Sequence, residues 1–233
     1  GNEAGGNGLE TTQLSNFTAT SDNSGAKELW RGPWAGISRT NWILTNIDKS
    51  PKISDAKKTQ YKGEAHFLRG LYYFNLVRLF GDVPWIDKQQ TASDDLQVSR
   101  TSKDIVYQHI IDDFSDAASM LPAVYENTTD IGRATKGAAF GLLAKVYLTL
   151  KRYNETLVAI DSVMNLGVYS LNRKYEWNFS DLRENGPESL FEVQYEKDVT
   201  AYSEFDILGQ GGWHHEYMAP LASINIGGPW GNF

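Results

Sequence analysis

The stretch from about Asp55 to Phe80 constrains this chain most, because it is apolar on two faces at helical spacing. Ala65, Leu68, Tyr72, Leu76 and Leu79 form one stripe, and Phe67, Leu71, Phe74 and Val77 form another. A helix with water along one side needs a single apolar stripe, so two stripes imply a helix packed between neighbours on both sides. Gly81-Asp82 ends the pattern, and Pro84 forces Val83 into an extended conformation.

The flanking segments supply candidate neighbours. Trp30, Trp34, Ile37, Asn41 and Leu44 recur at helical spacing, with Pro33 suited to a first turn and an end expected near Asp48, before Pro51. Residues 1–28 are rich in Gly, Asn, Thr and Ser with few apolar anchors and read as a loop or arm. Thr101-Ser-Lys-Asp104 resembles a capping box, behind which Tyr107, Ile110, Ile111, Phe114, Ala117 and Leu121 mark a one-faced surface helix reaching Pro122.

From Thr135 to Leu150 a stripe of small residues, Gly137, Gly141 and Ala144, leads to Leu148, with Phe140, Leu143 and Tyr147 beside it. Such a stripe admits a second helix backbone at close range. After a break at residues 151–153, Leu157, Ile160, Val163 and Met164 continue to Gly167, so the two segments predict a helical hairpin. Phe140, Leu143, Tyr147 and Tyr153 stand where a tetratricopeptide unit has its bulky residues, although Ala144 and Thr156 replace its glycine and alanine. The helix bearing Gly70 and Tyr73 echoes the first half of such a unit, and the two regions are expected to clasp one another. Ser189–Tyr195 alternates as a strand, and residues 209–233, rich in Gly, Trp and Pro, read as loop.

The expected fold is therefore mainly α: tetratricopeptide-like helix hairpins with irregular loops and one or two short β-strands. One domain is expected over 1–233, divided into an arm (1–28), a helical repeat core (29–166) and a strand- and loop-rich extension (167–233).

Composition narrows the function. With 22 Lys+Arg against 29 Asp+Glu, the formal charge of −7 has the wrong sign for nucleic acid or an anionic membrane surface. The absence of cysteine excludes disulfides, thiolate metal sites and a cysteine nucleophile. No apolar run approaches the roughly 18–20 residues that span a bilayer. Gly1–Gly8 has neither a basic n-region nor an apolar h-region and reads as a chain whose export signal has been removed.

A sugar presents C–H faces and many hydroxyls, so its receptor needs exposed aromatic rings together with planar polar groups. Asp22, Asn23, Trp30 and Arg31 form one such set around the first helix. A second lies in the Gly-rich tail: Trp213, His215, Tyr217 and Trp230. Tail aromatics also commonly cover a core edge, and Trp30 can pack into a helix groove. His214-His215-Glu216 lacks helical His-x-x-x-His spacing, so no metal or other cofactor is expected. Glu188 and Glu192, read as strand residues, share one face about 13 Å apart at roughly 3.3 Å per residue. That exceeds both hydrolytic geometries, and no enzyme activity is expected. His66 and Arg69 suit inter-helix contacts better than ligand binding.

Several stretches together resemble SusD/RagB-like proteins: Glu64-Ala-His-Phe-Leu-Arg-Gly-Leu-Tyr-Tyr-Phe-Asn-Leu-Val-Arg-Leu-Phe-Gly-Asp-Val-Pro-Trp85, Gly132-Arg-Ala-Thr-Lys-Gly-Ala-Ala139 running into Leu143-Ala-Lys-Val-Tyr147, Glu188-Ser-Leu-Phe-Glu-Val-Gln194, and Trp34-x-x-Ile37 with Asn41-x-x-Leu44. The resemblance implies an outer-membrane lipoprotein of the Bacteroidetes type, presenting glycan or a similar nutrient to a SusC-like TonB-dependent transporter. It also implies a ligand site drawing on the region of Asp22–Arg31, and that Phe233 falls near the end of the first half of a typical member. The family's lipid-bearing cysteine is not in this sequence, so membrane attachment is expected only through an anchor outside it. The alternative is a helical-repeat scaffold that binds a protein or peptide segment along an uncovered apolar groove on residues 133–165.

Overall fold

The computed structural model describes residues 13, 16–180 and 183–194. The chain divides into two compact units, Gly1–Phe191 and Glu192–Phe233, and only 192–194 of the second are described. Among the described residues of the first unit five α-helices with full bounds follow in order: α1 (Ser24–Asn46), α2 (Asp55–Phe80), α3 (Lys103–Met120), α4 (Lys136–Thr149) and α5 (Tyr153–Met164). Each packs chiefly on the next, so the two-striped α2 lies between α1 and α3. Phe67, Tyr73, Phe74 and Leu76 of α2 are fully buried with Val106, Ile110 and Phe114 of α3 and Ala139 and Val146 of α4. The expected clasp between the 60–80 segment and the hairpin near 140 is therefore made mainly through α3.

Helix α1 starts earlier than apolar periodicity suggests. The side-chain oxygen of Asn23 accepts from the Ala26 N–H at 3.0 Å and nucleates the helix at Ser24, inside the expected arm. The first turns carry Ala26, Lys27, Glu28 and Leu29, good helix formers that contribute no apolar stripe. Pro33 consequently sits in the helix interior, where it has no N–H to donate to the Leu29 carbonyl.

The start of α3 also departs from the sequence reading. Ser102 occupies the N-cap but makes no side-chain capping bond; instead Asp82 Oδ1, at the exit of α2, accepts from the Lys103 N–H at 2.8 Å. The antiparallel bridge Val83–Thr101, with Thr101 N–H donating to the Val83 carbonyl at 3.0 Å, closes the same junction. The chain thus leaves α2, makes an excursion over residues 84–100 and returns to the point it left.

On α4 the small-residue stripe admits side chains rather than a helix backbone. A Cβ on Gly137 would collide with the Tyr169 ring and one on Gly141 with Leu190. The Tyr169 hydroxyl also bonds Thr135 Oγ1 at 2.9 Å, so the segment after α5 folds back over α4. Among the described residues, 189–191 pair with no strand; Phe191 holds its segment by an edge contact with Phe67, ring centroids 4.9 Å apart. Tyr195 lies outside the described residues, among which Val83–Thr101 is the strand-like pairing.

A polar network crosses the helix stack. Arg69 of α2, only 8% exposed, donates through Nε and Nη2 to the two oxygens of Asp113 on α3, at 2.9 and 2.7 Å. Its Nη1 reaches Asn41 Oδ1 on α1 at 2.9 Å and the Asp87 carbonyl at 3.0 Å. Asn41 Nδ2 donates to the Ile86 carbonyl at 2.8 Å, Tyr73 Oη accepts from the Ile86 N–H at 2.8 Å, and His66 Nδ1 lies 2.7 Å from Asp113 Oδ1. Burial works against the Arg69 charge, yet hydrogen bonding and attraction to Asp113 outweigh it and hold the guanidinium pKa above its ordinary value. Burial pushes the Tyr73 phenol upward as well.

Two predictions follow from these contacts. Arg69→Met leaves the Asp113 carboxylate buried with a partner removed, and is expected to lower unfolding free energy by about 3–5 kcal/mol in urea denaturation followed by circular dichroism. Asp82→Ala is expected to cost about 1 kcal/mol in the same assay, whereas Ser102→Ala leaves the midpoint unchanged. Equal costs for the two would return the cap to Ser102.

Candidate functional site

An aromatic band runs from α1 across the exit of α2. Trp30 meets Trp34 and Phe80 edge-on, with centroids 5.3 and 5.1 Å apart, and Trp34 meets Tyr73 at 6.0 Å. Tyr73 packs on Trp85 at 4.2 Å, and Trp85 stacks on His109 of α3 at 4.4 Å with an interplanar angle of 13°. The Arg69 guanidinium lies 5.4 Å from the Trp85 ring centre. The spacing of Trp30 and Trp34, i and i+4, places both on one face of α1.

Beside this band, α1 and the exit segment enclose a cleft of about 230 Å³ lined by Trp34, Ile37, Ser38, Asn41, Ile86, Lys88 and Gln90. Its walls are fixed by backbone and amide bonds. Asn41 holds Ile86, Thr45 Oγ1 accepts from the Gln89 N–H at 3.2 Å, and Asn46 Nδ2 donates to Gln89 Oε1 at 2.7 Å. Trp34 Nε1 is buried with no hydrogen-bond partner among the described residues. Buried donors left this way cost about 1–3 kcal/mol each. On the same helix Trp42 is 57% exposed.

The residues singled out in the sequence take distinct positions. Asp22 is exposed, its carboxylate 3.8 Å from Lys27 Nζ. Asn23 is 2% exposed: its oxygen caps α1 and its Nδ2 donates to Gln13 Oε1 at 3.1 Å. Trp30 is half-buried in the aromatic band, and exposed Arg31 donates to Glu28 Oε1 at 3.1 Å. Being adjacent on a helix, Trp30 and Arg31 point in different directions. Trp213, His214, His215, Tyr217 and Trp230 lie outside the described residues. Glu188 accepts from the Asn172 N–H at 2.8 Å and from Asn178 Nδ2 at 3.3 Å, which ties together the loop after α5. Glu64 receives Arg133 at 2.7 Å and the Tyr125 hydroxyl at 3.2 Å.

The cleft itself escapes sequence reasoning, because Ser38, Lys88 and Gln90 carry no motif and belong to segments remote in sequence that the bonds of Asn41, Thr45 and Asn46 to Ile86 and Gln89 bring together. The available signal was Trp42, a tryptophan off the apolar stripe of α1.

Comparison with known proteins bears on this architecture. A SusD-like family model, described as starch-binding and associating with the outer membrane, matches residues 4–148. The chain is 25% identical over 203 residues to SusD-like protein P25 of Formosa agariphila, covering 83% of this chain and 38% of that protein. It is 26% identical over 148 residues to the starch-binding protein SusD of Bacteroides thetaiotaomicron, covering 58% of this chain and 26% of that one. Among solved structures, a laminarin-binding SusD-like protein aligns with a TM-score of 0.74 and 28% identity, over 84% of this chain and 42% of its own. A SusD-like protein of Bacteroides fragilis aligns with a TM-score of 0.73 and 31% identity, over 79% and 36%. The chain thus spans well under half the length of these relatives. With the family match covering most of the five-helix stack and the solved relatives repeating its fold, the chain belongs to the SusD-like family.

Proposed function

We propose that this chain is part of a non-catalytic surface receptor that binds glycan and hands it to a SusC-like TonB-dependent transporter. The observation that carries the reading is the match of residues 4–148 to a starch-binding, outer-membrane-associating family. The aromatic band supports it: its rings pack on the core, but half-buried Trp30 at the α1 end keeps part of its surface exposed, and a sugar ring calls for such an aromatic together with planar polar groups. Trp30, Arg31 and Asp22 are the ligand groups proposed at this edge, with Asn23 fixing the helix start that presents them. Attachment to the outer membrane is through a lipid anchor on the whole protein, and the bound nutrient leaves unaltered. The tail set Trp213, His215, Tyr217 and Trp230 is proposed to add contacts.

A second reading, a scaffold for a protein or peptide segment, is favoured by one observation. Tyr153, Leu157, Ile160 and Met164 recur at three and four residues along α5 and are all exposed, forming an uncovered apolar stripe within 133–165. Stripes of this kind receive an amphipathic helix.

Calorimetric titration with maltoheptaose and laminarihexaose separates the readings. Trp30→Ala is expected to weaken glycan binding about tenfold, near 1.4 kcal/mol. Absence of any sugar heat, together with binding of an amphipathic helical peptide that Leu157→Lys abolishes, would establish the scaffold instead.

A further inference from the structure

We propose that the cleft between α1 and residues 86–90, flanked by Trp42, is a separate subsite that seats one pyranose ring of an oligosaccharide. The proposal rests on the glycan-binding reading and adds a location and a mode of recognition to it.

Three features converge on this place. Trp42 is 57% exposed, and a large exposed aromatic is more informative about function than a buried one. It stands one turn along α1 from Ser38, a cleft-lining residue, so both occupy the same helix face. Trp42 does not itself line the cleft; from its place one turn beyond Ser38 its exposed ring is proposed to meet the C–H face of a sugar seated there.

The lining supplies the polar half of recognition. Ser38 brings a hydroxyl, Lys88 an ammonium and Gln90 an amide, and no carboxylate lines the cleft. A donor-rich pocket of this kind suits the ring and hydroxyl oxygens of a sugar as acceptors. The Trp34 N–H, buried and without a hydrogen-bond partner among the described residues, lies behind the wall and adds no donor to the cleft. At about 230 Å³ the cleft is smaller than the roughly 300–1,000 Å³ of sites for drug-sized ligands, so it matches a single ring rather than a chain of them.

The walls are also rigid, as a site for a weakly bound ring requires. Asn41 and Asn46 hold Ile86 and Gln89 from α1, and Tyr73 holds Ile86 from α2. The lining is therefore in place before ligand arrives, and binding orders little protein.

The test is calorimetric titration of the 233-residue chain with maltoheptaose and laminarihexaose, comparing wild type, Trp42→Ala, Lys88→Ala/Gln90→Ala and Trp30→Ala. The expected result is about a tenfold loss of affinity in Trp42→Ala and in the double variant, a factor that multiplies with that of Trp30→Ala. Acrylamide quenching gives a second readout: saturating sugar is expected to reduce quenching in wild type, and by a smaller amount in Trp42→Ala. Wild-type binding with no loss in Trp42→Ala and no protection from quenching would overturn the subsite and leave the glycan reading standing. No binding of either sugar to wild type would overturn both.

Discussion

The buried Arg69–Asp113 pair is the interaction on which the rest of the structure depends. A charge-assisted fork between α2 and α3 at 2.7–2.9 Å is tolerable in an apolar stack only when its remaining donors are met. Asn41 from α1 and the Asp87 carbonyl meet them. Because polar atoms from three helices and one loop must coincide, the rotation of α1 about its axis is tied to that of α2. A hydrophobic contact would permit slippage there; this network has one good arrangement.

The proposed ligand surface inherits that precision. Asn41 is shared, taking Arg69 on its oxygen and holding Ile86 with its nitrogen. The segment leaving α2 is therefore drawn against α1, and the Asp82 cap and Val83–Thr101 bridge fix its two ends. Trp85, Ile86 and Asp87 are packed and bonded into the stack, whereas residues 91–100, nearly all exposed, can vary without disturbing it. Binding residues placed on such an excursion gain rigidity from below and sequence freedom above.

The helices were largely legible because each carries an apolar stripe. The bounds Asp55–Phe80 follow from the two stripes of α2, the Ser54 cap and Gly81 at φ 70°. What failed was chemistry that does not announce itself by periodicity. The start of α1 depends on one asparagine oxygen, and α3 takes its cap from Asp82, distant in sequence from Ser102. The stripe of Gly137 and Gly141 correctly signalled close approach, but glycine cannot say whether backbone or a ring arrives, and here Tyr169 and Leu190 do. Ser189–Phe191 alternate like the start of a strand, yet among the described residues Phe191 is held by packing on Phe67. Of the candidate site, the aromatic character of α1 was visible, whereas the cleft depends on the Asn41–Ile86 contact between remote segments.

The two exposed surfaces of the stack differ in a way that bears on what each receives. The α5 stripe is made of Leu157, Ile160 and Met164 with Tyr153, mostly flexible aliphatic side chains that conform to another apolar helix and offer few fixed polar groups. The α1 edge combines flat rings with hydroxyl, amide and ammonium groups whose backbone is pinned by side-chain bonds. Sugars have rigid C–H faces and directional hydroxyls, so an adaptable aliphatic surface recognises them poorly and a rigid mixed one recognises them well. Three helices and the Arg69–Asp113 pair stand between the two surfaces, so the proposed ligand edge on α1 does not depend on what covers the α5 stripe.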